Sequence, residues 1–260
     1  MELITVKLLC MAKYSSWTHY FQHNTWNPNL ICPPGRPCLS AEERDLLAHS
    51  LQQFQLGEGS DGNGLMRRAK DFAAKRNLPE LVAAMGLFIQ EEQRHSKVLG
   101  QFLDRETIPR IQKHWVDGLF RRIRGLAGFE PMLTVLMIAE LIAIPYYSAI
   151  HDASDSPVLK QIARRILQDE DQHLSFQADN FAHIVAARND LGRAFTLAAH
   201  WLGLTAAALL VYWLHRRLFQ QVRYSPLRFW SMALEAHKPI FQRLTVNAAH
   251  DMERAAPILH

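Results

Sequence analysis

One four-residue pattern occurs twice in this 260-residue chain, as Glu92-Gln93-Arg94-His95 and Glu170-Asp171-Gln172-His173. Residues three apart on a helix share a face, so each Glu-x-x-His sends a carboxylate and an imidazole toward one point. Lone glutamates precede the pairs at similar intervals: Glu58 lies 34 residues before Glu92, and Glu140 lies 30 before Glu170. Four carboxylates and two imidazoles in that order are what a carboxylate-bridged two-metal site inside a four-helix bundle requires.

Either pair alone would pass for an ordinary solvated contact on a helix surface. The turn signals between each glutamate and its partner pair argue otherwise. Residue 75, midway between Glu58 and Glu92, adjoins Arg76-Asn77-Leu78-Pro79, and residue 155, midway between Glu140 and Glu170, lies in Ser154-Asp155-Ser156-Pro157. Both are signals for a helix to stop and restart. In an antiparallel helix pair, ligands 15 to 17 residues either side of such a turn share a depth of roughly 22–26 Å from it. The faces carrying the pairs are otherwise apolar, with Leu81, Met85, Phe88, Glu92, His95, Leu99 and Phe102 in one stripe and Ile162, Ile166, Glu170 and His173 in another. Carboxylates on such faces need a partner or a metal ion.

At these residues the chain resembles the ferritin-like superfamily, most closely its rubrerythrin-type branch. Gly57-Glu58-Gly59-Ser60 is similar to the Gly-Glu-Ser segment that carries the first ligand there, and Leu78 through Phe102 to the helix with the first Glu-x-x-His. The resemblance covers about residues 41–180. It implies Glu58, Glu92, His95, Glu140, Glu170 and His173 as ligands of two iron ions, with Glu92 and Glu170 bridging. Rubrerythrins also carry a rubredoxin-like module with paired Cys-x-x-Cys motifs, which this chain lacks. An external electron donor is therefore expected.

The expected architecture is all-α: a ferritin-like four-helix bundle over 40–185 with one long crossover, an aromatic N-terminal extension over 1–39, and additional C-terminal helices over 186–260. The extension shows no strong helical periodicity, and Trp17, Tyr20, Phe21 and Trp26 suggest that it packs on the bundle. Its His19 and His23 have i, i+4 spacing but read best as surface or packing residues. Ser40 with Glu43 forms a capping box that starts the first long helix near Ala41. That helix must stay regular through Gly57, Gly59, Gly62 and Gly64 to present Glu58, although each internal glycine costs about 1 kcal/mol. A second helix runs from Pro79 to about Leu103. The connection 104–130 holds a short helix around 111–123. The third helix opens at Pro131, carries Glu140 and is expected to kink at Pro145. The fourth starts with Pro157, and a last one spans about 226–248.

Residues 194–214 contain no Asp, Glu, Lys or Arg and are long enough to cross a bilayer. Basic residues at both ends, Arg193 on one side and Arg216-Arg217 on the other, set no orientation. A buried or partner-facing helix is the first expectation for this segment, and membrane association the second.

A formal charge of +4 is mildly basic. The clusters Arg121-Arg122-Ile123-Arg124, Arg164-Arg165 and His215-Arg216-Arg217 read as solvated helix faces, with acidic partners or a phospholipid surface as the second reading, and no nucleic-acid motif accompanies them. Cys10, Cys32 and Cys38 are too few for a disulfide framework, and Cys32 and Cys38 are expected as unpaired loop thiols. The apolar run near the N-terminus is too short for a signal sequence, so a cytoplasmic location is the default, with the membrane as the secondary reading.

Carboxylate oxygens and imidazole nitrogens in a two-to-one ratio suit iron or manganese, including a mixed pair. The leading expectation is a di-iron oxidoreductase acting on dioxygen or peroxide, as oxygenase or peroxidase, with an unidentified small-molecule substrate and a homodimeric assembly. Ferritin-like iron storage, and a membrane-associated quinol oxidase or lipid-modifying enzyme, are the alternatives. Glu91 and Asp169, each just before a ligand glutamate, are candidates to hydrogen-bond a ligand histidine. Tyr147, seven residues beyond Glu140, is a candidate donor beside the metals.

Overall fold

The computed structural model describes residues 2–25, 31–59, 62–114, 118, 128–186 and 188–238. Among these the chain is all-helical, without strands. The helices are α1 (Glu2–Thr25), α2 (Ala41–Glu58), α3 (Asn63–Arg76), α4 (Pro79–Arg105), α5 (Phe129–Ala153), α6 (Pro157–Ala186), α7 (Asp190–Leu214), α8 (Arg216–Gln221) and α9 (226–238). Packing divides the chain into two compact units, Met1–Met132 with Ser154–Ile166, and Leu133–Ala153 with Leu167–His260.

In the first unit α4 is the central element, and α1, α2 and α3 all pack against it. The long α1 forms although residues 1–39 show no strong helical periodicity. Residues 1–25 contain no glycine or proline to break a helix, and burial of Tyr14 and Phe21, seven residues apart, fixes it. Phe21 meets Phe88 of α4 edge-on with ring centroids 6.2 Å apart. Packing of this kind overrides weak periodicity. His19 and His23 are exposed.

The capping box forms as the sequence predicts: Glu43 N–H donates to Ser40 Oγ at 3.1 Å and Ser40 N–H to Glu43 Oε2 at 2.8 Å. The other oxygen of Glu43 accepts from Ser154 Oγ at 2.9 Å and Asp155 N–H at 2.6 Å, so one carboxylate caps α2 and clamps the α5–α6 turn. Before α2, Cys38 N–H and Leu39 N–H donate to the buried Glu106 carboxylate at 2.9 and 3.1 Å. Arg105 donates to the carbonyls of Pro33 and Arg36 at 2.7 and 3.0 Å. Cys32 and Cys38 are free thiols in this segment, and burial raises both pKa values.

The expectation of one regular helix through four glycines is corrected. α2 ends at Glu58 with Gly59 as its C-cap, and α3 begins at Asn63 after Gly62 adopts φ 67. Glycine tolerates that left-handed backbone at no steric cost. The restart before α4 falls where the sequence puts it. Asn77 (φ 54) ends α3, Leu78 N–H bonds Ala73 O at 2.9 Å, and Pro79 opens α4 in its favoured first turn. The short helix expected over 111–123 and the Arg121–Arg124 cluster lie almost wholly outside the described residues.

α5 begins at Phe129 with Pro131 in its first turn and remains helical across Pro145. In the second unit α7 packs on α8, and its inward residues, Thr196, His200, Leu204, Ala207, Ala208 and Val211, are buried. Tyr224 O–H donates to Asp152 Oδ2 at 2.8 Å, Tyr212 O–H to the Tyr224 carbonyl at 3.0 Å, and Phe219 packs on Phe229 with centroids 4.6 Å apart.

Candidate metal centre

The stripe on α4 is buried as its periodicity predicts: Leu81, Met85, Phe88, His95, Leu99 and Phe102 are all sealed from solvent. Glu92, within that stripe, is half-buried. Its Oε1 lies 3.9 Å from His95 Nδ1, one turn on. On α6, Ile162, Ile166, Glu170 and His173 are likewise buried. His173 Nδ1 stands 3.4 Å from Glu170 Oε2 and 3.7 Å from Glu140 Oε2, so one imidazole nitrogen faces carboxylates from α6 and from α5.

Glu92, His95, Glu170 and His173 each offer a ligand atom, and these four atoms all lie within 4.8 Å of one another. The group could hold a metal ion. Donors about 2.1 Å from a shared ion stand at most about 4.2 Å apart, so small side-chain adjustments close this set around one. Oxygen and imidazole donors fit a first-row divalent metal. Burial adds to the fit, because a sealed carboxylate is costly without compensating positive charge.

Of the six residues expected from the sequence, four form this mutually close group. Glu140 is buried and adjoins it through His173 but lies outside the 4.8 Å set. Glu58 is half-buried at the last residue of α2 and also lies outside the set. Tyr147 is fully buried, with its ring 5.1 Å from that of Tyr146, which in turn lies 5.7 Å from His215. Asp169 is buried. Glu91 is buried too, accepting from Arg94 at 2.7 Å and from the side chain of Asn24.

Asn24 is a residue that sequence reasoning passed over. From the last turn of α1 it donates to Glu91, its carbonyl accepts from Arg94 at 3.0 Å, and its side-chain oxygen accepts from Arg165 of α6. It thus braces the segment of α4 that carries Glu92 and His95. No local sequence signal marks it, because its partners are 67 to 141 positions away.

Gln177 is the second such residue. It is buried four positions beyond His173, and neither its amide oxygen nor its nitrogen has a hydrogen-bond partner. Extending the Glu170–His173 stripe by one turn would have found it. His200, on α7, is fully buried between Phe181 and His237, with ring centroids 5.6 and 5.0 Å away. Burial, followed by the nearby His237, lowers its pKa to about 3.

Compared with protein-family models, with curated proteins and with solved structures, the chain matches none.

Proposed function

We propose that this chain is a di-iron carboxylate oxidoreductase that acts on dioxygen or peroxide within a ferritin-like bundle. The observation that carries the reading is the buried group of Glu92, His95, Glu170 and His173, with Glu140 beside His173. Two Glu-x-x-His helices and two further glutamates are the ligand pattern of such centres. The helix stops at Asn77 and Ser154, between each lone glutamate and its partner pair, support the bundle.

Glu92, His95, Glu170 and His173 would hold the ions, Glu140 would join them from α5, and Glu58 would follow from the end of α2. When bound, an iron pair supplies two electrons for reducing dioxygen or peroxide. The protein's own share is positional. Glu140 and Glu170 flank Nδ1 of His173, while Asn24, itself bonded by Arg165, and Arg94 hold Glu91 and so the neighbouring turn of α4. Burial of His95, Glu170 and His173 keeps bulk water from them, which strengthens each charge interaction there. Electrons come from a separate donor, and the substrate is a small molecule chosen by the residues around the centre.

Metal analysis of protein purified without added metal tests this directly. Two iron equivalents per chain are expected, with both lost in Glu92→Ala and in Glu170→Ala, and an absorption change when the reduced protein meets oxidant. Metal-free protein that also refuses reconstitution would overturn the assignment. A cage-sized particle in light scattering would favour iron storage instead, and a dimer would exclude it.

A further inference from the structure

The outward face of α7 is apolar along its whole length. Leu191, Phe195, Leu202, Leu209 and Trp213 are 60–80% exposed. Their spacings of four and seven residues place them on one stripe, which spans about 33 Å at the helical rise. Exposed Ala198 and Ala206 lie in the same stripe. Isolated surface leucines need no explanation, but a continuous face of this size marks an interaction site.

Among the described residues two helices are long and apolar enough to cross a bilayer, and burial separates them. The apolar window of α5 is 72% buried, as in a core helix, whereas that of α7 is only 33% buried. The opposite side of α7, from Thr196 to Val211, is packed into its own unit. α7 is therefore two-faced: one side is held by protein and the other is open.

The charges around the open face select its occupant. Residues 190–238 hold six Lys and Arg against two Asp and Glu. Arg188 and Arg193, the latter 3.7 Å from Asp190, stand near one end of the stripe and Arg216 and Arg217 at the other, with no acidic residue from 194 to 217. The Arg216 guanidinium lies 5.5 Å from the Trp213 ring centroid. That pairing suits an apolar boundary, with the aromatic ring at the edge and the cation turned to the polar side. A spanning helix takes its orientation from basic residues at one end, whereas positive charge at both ends suits a helix lying in the plane of an anionic surface. A second copy packed on this face would bring net-positive ends together in either orientation, since Arg188 and Arg193 outnumber Asp190 at one end and Arg216 and Arg217 stand at the other.

We propose that the open face of α7 is a docking surface for an anionic phospholipid bilayer, on which the helix lies in plane. The apolar stripe enters the acyl boundary, and the flanking arginines meet the phosphates. Each contribution alone is weak; together they give reversible attachment that depends on lipid charge and on salt.

Co-sedimentation of the full-length protein with large unilamellar vesicles tests the proposal. Binding to phosphatidylcholine containing a third phosphatidylglycerol is expected to be at least tenfold tighter than to phosphatidylcholine alone, and to fall steeply at high salt. Leu202→Glu and Leu209→Glu change exposed side chains and should lower binding at least tenfold while leaving helicity and metal content unaltered. Arg216→Gln with Arg217→Gln should remove most of the preference for anionic lipid. The proposal is overturned if neither vesicle binds, or if binding ignores both the glutamate substitutions and lipid charge. It is equally overturned if Leu202→Glu converts a solution dimer to monomer with no effect on vesicles, which would make a second copy the occupant.

Discussion

A β-carbon at position 62 would stand 2.4 Å from Cγ2 of Ile89, so the backbone of Gly62 lies directly against α4. Gly62 also holds φ 67, the left-handed region that other residues enter at a cost. The break between α2 and α3 thus needs glycine twice over, for its dihedral angle and for its closeness. Gly62→Ala should lower stability by about 1–3 kcal/mol, the range for backbone strain and overpacking. Gly57, near the end of α2, has nothing within 4 Å of its would-be β-carbon. Gly57→Ala should therefore be neutral or stabilising by up to about 1 kcal/mol. Urea unfolding followed by helical circular dichroism compares the two, and equal midpoints would contradict the account.

Glu43 gives the first unit an acid-sensitive fastening. Burial alone would raise its pKa, but hydrogen bonds from Ser40, Asp155 and Ser154 outweigh that and hold it below 4.5. A depressed carboxyl contributes stability that is full above the unfolded value and is lost as pH falls through the folded one. Unfolding free energy should decline below about pH 4.5, and Glu43→Gln should flatten that decline. At pH 7 the same substitution should cost about 1 kcal/mol, because the capping box and the clamp on Ser154 both weaken. A wild-type acid profile in Glu43→Gln would show that other carboxylates dominate.

Asn77, Leu78 and Pro79, and the Ser154–Pro157 stretch, were legible in the sequence because stopping and restarting a helix uses residues with local backbone preferences. The α4 and α6 stripes were legible because burial imposes a helical period. The course of 1–25 was not, since α1 is placed by long-range packing, with Phe21 meeting Phe88 of α4 and Tyr14 buried. The four glycines were visible, but the approach of Ile89 that requires one of them was not. Paired motifs drew attention to Glu92, His95, Glu170 and His173. Asn24 and Gln177 carry no motif, and only long-range contacts and burial reveal them.

His200 ties the second unit to pH. Its pKa is lowered to about 3 by burial, with a further contribution from His237. The unfolded imidazole takes up a proton near pH 6.5 and the folded one does not. Its stabilising effect is therefore complete above about 6.5 and declines as pH falls toward 3, by up to about 1.4 kcal/mol per pH unit. His237 is lowered by burial as well and acts in the same direction. His200→Leu fills the site with an apolar side chain that takes no proton. Between pH 6.5 and 4.5 its stability should change less than that of the wild type, read from urea midpoints at each pH. Parallel curves for the two proteins would exclude His200 as the cause.

Metal binding at Glu92, His95, Glu170 and His173 should raise stability through mass action, because the unfolded chain does not hold the four ligand atoms within 4.8 Å of one another. At a free metal concentration one hundred times the dissociation constant, the gain is about 2.7 kcal/mol. For a chain of this size that corresponds to roughly 5–11 °C in Tm. Anaerobic ferrous iron should produce the shift and a chelator should reverse it. His173→Ala should abolish the shift, as should Glu92→Gln, which preserves the shape of a half-buried side chain and guards against a merely misfolded first variant. His19→Ala with His23→Ala should retain it, since both imidazoles are exposed on α1. A metal-induced shift that survives Glu92→Gln and His173→Ala would place the ion elsewhere. The same shift lost with the surface histidines would make it adventitious.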